Sequence, residues 1–252
     1  MVFRSIEAII SFLTIIPVTK SSSNIDIQQI AKSMYLFPFV GVITGVLIGG
    51  LAYGISFYLQ PQLIGFLITG AFIMITGIHH TDALADFADG LMAKGGKEFK
   101  RKVMHDPAVG SAGVVALILY VVGMIVALSS FHYGIKLLTS IIVAEVIAKY
   151  IMVLQAYCGI SAWEGFSSPF TAAMKDKRKI LAATGITLII IWLVGSGYAN
   201  LTSLSVSIAI AAAIQYVSNK SFGGISGDVI GASNEVTRLA SLIVLSSVTI
   251  RH

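Results

Sequence analysis

Three aspartates, Asp82, Asp86 and Asp89, fall within eight consecutive positions of the segment Gly77-Ile-His79-His80-Thr-Asp82-Ala-Leu-Ala-Asp86-Phe-Ala-Asp89-Gly90. On an α-helix, at about 100° per residue, they lie within roughly 60° of one another, with His79 on the same edge. Like charges this close raise one another's pKa unless a cation neutralises them. A hard divalent ion does so, and Mg²⁺ takes one or two protein carboxylates and completes its shell with water and substrate phosphate. The basic residues Lys94, Lys97, Lys100, Arg101 and Lys102 follow directly. Acids for a metal and bases for phosphate suit phosphoryl transfer, in which catalysis is mostly positioning and charge neutralisation. A solvated acidic helix end is the plainer alternative. Against it, the whole chain has only 12 acidic residues, and three stand together here.

Two other segments bring acids. Met104-His105-Asp106-Pro-Ala-Val-Gly110 carries Asp106, and Gly223-Gly224-Ile-Ser-Gly227-Asp228-Val-Ile-Gly231 sets Asp228 in a glycine-rich stretch that could let backbone amides approach a phosphate. The tract Lys94–Lys102 could equally bind anionic lipid headgroups or only fix orientation. Gly95-Gly96-Lys97 is not a phosphate-binding P-loop, because neither the spaced first glycine nor a following Ser or Thr is present. Glu145 and Lys149, four apart, and Glu235 and Arg238, three apart, can each meet on one helix face, either as structural ion pairs or around a polar cavity. Gly41, Gly45 and Gly49 have the spacing of helix packing. His132 and His252 are assigned no role.

These residues need a scaffold, and composition says which. The 252-residue chain is 56% hydrophobic and 12% charged, with mean hydropathy +0.88, where a soluble domain carries about a quarter charged residues. Apolar runs at Leu36–Leu59, Leu63–Gly77, Gly110–Ser130, Ile135–Ala156, Ile180–Tyr198, Ser203–Val217 and Val236–Ile250 approach the roughly 20 residues of a membrane-spanning helix. Backbone groups in lipid must be satisfied within each segment, so the expected fold is all-α: a polytopic helical bundle of about seven spans, forming a single integral membrane domain over residues 1–252. Phe3–Val18, with Glu7 inside it and no small-residue cleavage site, reads as a retained interfacial helix. One cysteine, Cys158, excludes an intrachain disulfide and a Cys-rich metal site. The +5 charge speaks for topology before nucleic acid, for which no partner role is expected. Basic clusters at Lys94–Lys102 and Lys175–Lys179 place residues 78–109, 157–179 and 218–235 in the cytoplasm, with the amino terminus inside. All the candidate acids and histidines then share one side of a cell membrane.

The ordered set resembles the cobalamin synthase family, the adenosylcobinamide-GDP ribazoletransferases. The resemblance rests on His80-Thr-Asp82-Ala-Leu-Ala-Asp86-Phe-Ala-Asp89-Gly90, on Asp106-Pro-Ala-Val-Gly110, and on Gly223-Gly-Ile-Ser-Gly-Asp228-Val-Ile-Gly231-Ala232. It extends to Phe12-Leu-Thr-Ile-Ile-Pro17-Val, Phe37-Pro38-Phe-Val-Gly41 and Glu164-Gly165. Ala83 departs from a usual glycine, His105 from a usual Lys or Arg, and Arg238 from an acid expected after Glu235. The resemblance implies that a ribazole hydroxyl, of ribazole or its 5′-phosphate, attacks the cobinamide-side phosphate of adenosylcobinamide-GDP and releases GMP, with Mg²⁺ as cofactor. It implies Asp82, Asp86, Asp89, Asp106 and Asp228 as the metal set. Asp82, Asp86, Asp106 and His80 are the catalytic candidates. Lys94, Lys97, Arg101, Glu164, Gly224, Gly227 and Asp228 are the substrate-binding ones. A homo-oligomer is compatible with all of this.

Two rivals remain. A CDP-alcohol phosphotransferase opens with a similar pattern, nearly met by Asp86–Lys94, but its later glycine and paired aspartates meet Val103, Pro107 and Ser111. A cation-coupled transporter would need its acids near the midplane, and no inverted repeat is visible.

Overall fold

A computed structural model describes residues 2–16, 18, 26–131, 134–195 and 197–249. Pro17, His132, His252 and Ile250, where the last span was expected to end, lie outside them. Among the described residues the regular structure is helical, apart from a bridge between Ser161 and Ile225. In chain order the helices are α1 (Val2–Leu13), α2 (Ile27–Ser33), α3 (Phe37–Ile55), α4 (Pro61–Thr76), α5 (His79–Met92), α6 (Lys97–Met104), α7 (Ser111–Ser129), α8 (Ile135–Cys158), α9 (Ser168–Ala173), α10 (Lys177–Leu193), α11 (Gly197–Phe222) and α12 (Gly227–Thr249).

The molecule is an all-α, multi-pass membrane bundle, and six of the seven expected spans fall each on one helix, while Ile180–Tyr198 runs past the end of α10 at Leu193 into the start of α11. Ile27–Ile55, Ser111–Ser129, Ile135–Cys158, Gly197–Phe222 and Gly227–Val248 are long and apolar enough to cross alone, and α4 with α5 makes a bent sixth candidate. At about 1.5 Å per residue, the 17 residues of α10 span ~26 Å. The last boundary needs correction: α12 begins at Gly227, not Val236. Its first half carries Ser233, Asn234 and Glu235, which lower the hydropathy, yet all three are buried against protein rather than lipid.

Helix α8 is the axis of the bundle. Gly41, Gly45 and Gly49 lay α3 on it so closely that a Cβ at these positions would stand 2.8 Å from the Glu145 carbonyl oxygen, 2.7 Å from Ile142 Cα and 3.0 Å from the Leu138 carbonyl oxygen. Between α4 and α5 the chain turns by 93° at Gly77, whose φ of 73° favours glycine. This bend takes α5 out of the spanning direction and across one end of the bundle. Helix α5 begins at His79, so both histidines belong to its first turn.

The two charged pairs expected on separate helices form one network. Arg238 Nε donates to Glu145 Oε1 of α8, and Arg238 Nη1 donates to Glu235 Oε2 and, at 3.1 Å, to the Tyr120 hydroxyl of α7. Thr44 of α3 donates to Glu145 Oε2 at 2.6 Å. Lys149 does not pair with Glu145 but donates to Asn234 Oδ1 at 2.9 Å, and Asn234 donates to Glu235 Oε1 at 2.8 Å. The Arg238 guanidinium also lies over the Phe72 ring, 5.0 Å from its centroid. Two cations and two anions cancel in a buried cluster that lines no described cavity.

Candidate active site

A cavity of about 1090 Å³ opens at the end of the bundle crossed by α5. Helix α5 presents His79, His80, Asp82 and Asp86 to it, and α6 with the following loop adds Arg101, His105 and Asp106. The loop after α8 contributes Trp163, Glu164 and Phe166, and the first turn of α12 contributes Gly227 and Asp228. Four segments thus bring acids to one cavity. Its apolar lining includes Phe12, Met34, Phe37 and Phe170.

Of the expected site residues, His80, Asp82, Asp86, Arg101, Asp106, Glu164, Gly227 and Asp228 line this cavity. Asp89, Lys94, Lys97 and Gly224 do not. The Asp89 carboxylate turns to α7: Oδ2 accepts from the Gly110 amide at 2.7 Å and Oδ1 from the Gly113 amide at 2.9 Å. It caps a helix N-terminus, where free amides and the helix dipole favour an anion. A Cβ at Gly110 or Gly113 would lie 2.5 Å from an Asp89 oxygen, which is what the spacing of Asp106-Pro-Ala-Val-Gly110 accommodates.

The glycine-rich stretch has a similar internal explanation. Ala162 N donates to Ile225 O at 2.9 Å and Ile225 N to Ile160 O at 2.8 Å, and a Cβ on Gly224 would lie 2.5 Å from the Ile160 carbonyl oxygen. Gly224 therefore lets the loop after α8 dock on the start of α12. Lys97 lies against the Gly223 turn, and Lys100 donates to the Leu91 carbonyl at 2.7 Å, so this part of the basic tract fastens α6 to its neighbours. Arg101 stays at the cavity, with its guanidinium 4.6 Å from the Trp163 ring centroid. His105 packs on the same ring and donates from Nδ1 to the Arg101 carbonyl at 2.8 Å.

Charge in the cavity is unbalanced. Burial, then the neighbouring charges of Asp82, Asp228 and Asp89, push the Asp86 carboxyl up to about 6. No described Lys or Arg forms an ion pair with Asp82, Asp86, Asp106 or Asp228. His80 is driven well below the usual histidine range, first by burial and then by Lys149, Arg238 and His79, so its ring is neutral near pH 7. Among the described residues no group of three or more His, Cys, Asp or Glu side chains stands close enough together to hold a metal ion as placed. The donor chemistry nevertheless fits a hard divalent cation: several oxygen donors, mutually repelling and facing an open cavity.

Trp163, Phe166 and Phe12 were not read from the sequence as site residues. In a chain this rich in apolar residues an aromatic carries no mark that separates a cavity wall from a core. Their only signal was adjacency to the Glu164-Gly165 and Phe12–Val18 stretches.

Fold and site together define a multi-pass membrane protein with a large cavity, lined by several carboxylates, at one end. Residues 5–246 match the family model described as cobalamin-5-phosphate synthase, and the chain belongs to that family. A relative from Methanocella arvoryzae, named adenosylcobinamide-GDP ribazoletransferase, is 33% identical over 97% of this chain and 96% of its own length. Proteins of the same name from Methanosarcina barkeri and Archaeoglobus fulgidus are 32% identical over 93% of the chain and 29% identical over 96%. No solved structure matches the chain.

Proposed function

We propose that this protein joins adenosylcobinamide-GDP to α-ribazole or its 5′-phosphate. An acceptor ribose hydroxyl attacks the cobinamide-side phosphorus, the bond from that phosphorus to the bridging pyrophosphate oxygen breaks, and GMP leaves with that oxygen. The observation that carries the reading is the meeting of Asp82, Asp86, Asp106 and Asp228 around one cavity with no described Lys or Arg in an ion pair with any of them, in a chain of this family. Asp82, Asp86 and Asp228, with Asp106, would hold Mg²⁺. Bound there, the ion would neutralise charge on the pyrophosphate oxygens and on the leaving phosphate.

The protein's own groups do the rest. Arg101 at the rim is placed to bind phosphate oxygens. Neutral His80 and the exposed Asp106 carboxylate are the groups that can take the hydroxyl proton. Asp89 acts through α7, holding the end of α5 in register. Both basic clusters sit at the cavity end: Arg101 lines it, and Lys175 donates to the Gly159 carbonyl at 3.1 Å, beside the docked loop. That asymmetry supports a cytoplasmic active face in a cell membrane. The transport reading lacks support, because the membrane-depth charges close on one another away from any described cavity.

The test is GMP release by detergent-purified protein given adenosylcobinamide-GDP and α-ribazole 5′-phosphate, with Mg²⁺ and with chelator. Metal-dependent GMP and a corrinoid product are expected. Folded protein that releases no GMP with any divalent metal would sink the proposal.

A further inference from the structure

The cavity has a second face that the phosphate chemistry does not use. Phe12 of α1, Phe166 of the loop after α8 and Phe170 of α9 form a triangle of rings, with centroids 5.9, 5.8 and 5.5 Å apart and planes within 38°. Phe37 backs Phe12 at 6.3 Å. Phe37 and Phe170 are buried, as core aromatics are, but Phe166 is 49% exposed. Its loop is placed by the backbone pairing of Ile160 and Ala162 with Ile225, so packing of the ring is not needed to hold it there. The same ring abuts Gly227: a Cβ on that glycine would stand 3.2 Å from Phe166 Cδ1. Phe166 therefore reaches from the aromatic wall to the residue beside Asp228.

Resting on the proposed reaction, we infer that this wall seats the heteroaromatic base of the acceptor nucleoside, and that it suits a base with an apolar edge, such as a benzimidazole, rather than guanine. A planar ring laid on Phe166 has its sugar directed along the wall toward Asp228 and the other cavity aspartates. Guanine carries an amide edge that must find partners when it leaves water. The hydroxyl of Ser167, next in the loop, is already engaged with Ser161 Oγ and the Ile225 carbonyl. A benzimidazole has no amide edge and leaves a single ring nitrogen to be satisfied. The seat also accounts for the two aromatic-headed stretches at Phe12 and Phe37, whose residues the phosphate chemistry does not use.

Phe166→Ala is the informative change, since an exposed loop ring can be removed with the bundle intact. Stacking of a base on an aromatic side chain predicts that KM for α-ribazole 5′-phosphate rises roughly tenfold. KM for adenosylcobinamide-GDP stays within about twofold, and Phe166→Trp retains most of the affinity. Equilibrium dialysis of α-ribazole 5′-phosphate against wild type, Phe166→Ala and Phe12→Leu reads the seat without turnover, with an adenine nucleotide binding more weakly than the benzimidazole one. An unchanged acceptor KM and unchanged dialysis mark the ring as a packing or lipid contact and overturn the inference. So does a rise confined to the donor's KM, which places part of adenosylcobinamide-GDP there. Wild type that binds the acceptor through Phe166 yet releases no GMP overturns the reaction and leaves the seat standing.

Discussion

Acids gather in two places in this protein, one buried and one open, and their company differs. At the heart of the bundle Glu145 and Glu235 are buried with Arg238 and Lys149, and Thr44, Tyr120 and Asn234 satisfy most of the remaining polar atoms. At the end of the bundle Asp82, Asp86, Asp106 and Asp228 line one cavity, with no described Lys or Arg in an ion pair with them. Balanced and sealed, the first cluster ties α3, α7, α8 and α12 together. Unbalanced and open, the second has charge left over for a ligand. Charge at membrane depth is costly and is neutralised from within in the first cluster, whereas the second, at the bundle end, is left without an internal counter-charge, and that separates architecture from chemistry.

Removing a cavity acid should therefore cost activity and spare the fold. Asp82→Ala or Asp86→Ala is expected to lower GMP release on the order of 10³-fold, with an unchanged elution profile in detergent. Arg238→Met should do the reverse, leaving a net buried charge of one and costing about 3–5 kcal/mol of stability, read as a large fall in thermal midpoint. Adding Glu145→Gln to it restores neutrality and should recover part of the loss. If the single change is silent, the network is not what holds these helices together.

Saturating Mg²⁺ should raise the thermal midpoint of wild type, because a ligand that binds only the folded state stabilises it, and should fail to do so for Asp82→Ala. Asp89→Ala sits between the two regions, since it removes a helix cap rather than a cavity acid. It should cost about 1 kcal/mol and reduce turnover less than Asp86→Ala does. Smallest of all, Lys94→Ala should leave KM for the GDP substrate within about twofold, where Arg101→Ala raises it severalfold. Equal effects would show that the whole basic tract, and not its cavity-facing member, handles phosphate.

What the sequence by itself determined was the solvent, the helical class and the acids worth attention. Hydropathy reports burial in lipid run by run, and the i, i+4 spacing of Asp82 and Asp86 keeps both on one face of any helix they form. It did not separate Asp89 from that pair, because all three share a stripe and only the approach of α7 shows whose amides the third one meets. Nor did it show that Glu145 belongs to Arg238 rather than to Lys149. Helical spacing offers only partners on the same helix, while the closest ones here are 93 residues apart along the chain. The start of α12 was hidden because polar residues buried against protein look, in a hydropathy profile, like residues in water. The tertiary structure alone decided these points, since burial, neutralisation and the meeting of aromatic and acidic residues around one cavity are relations between helices.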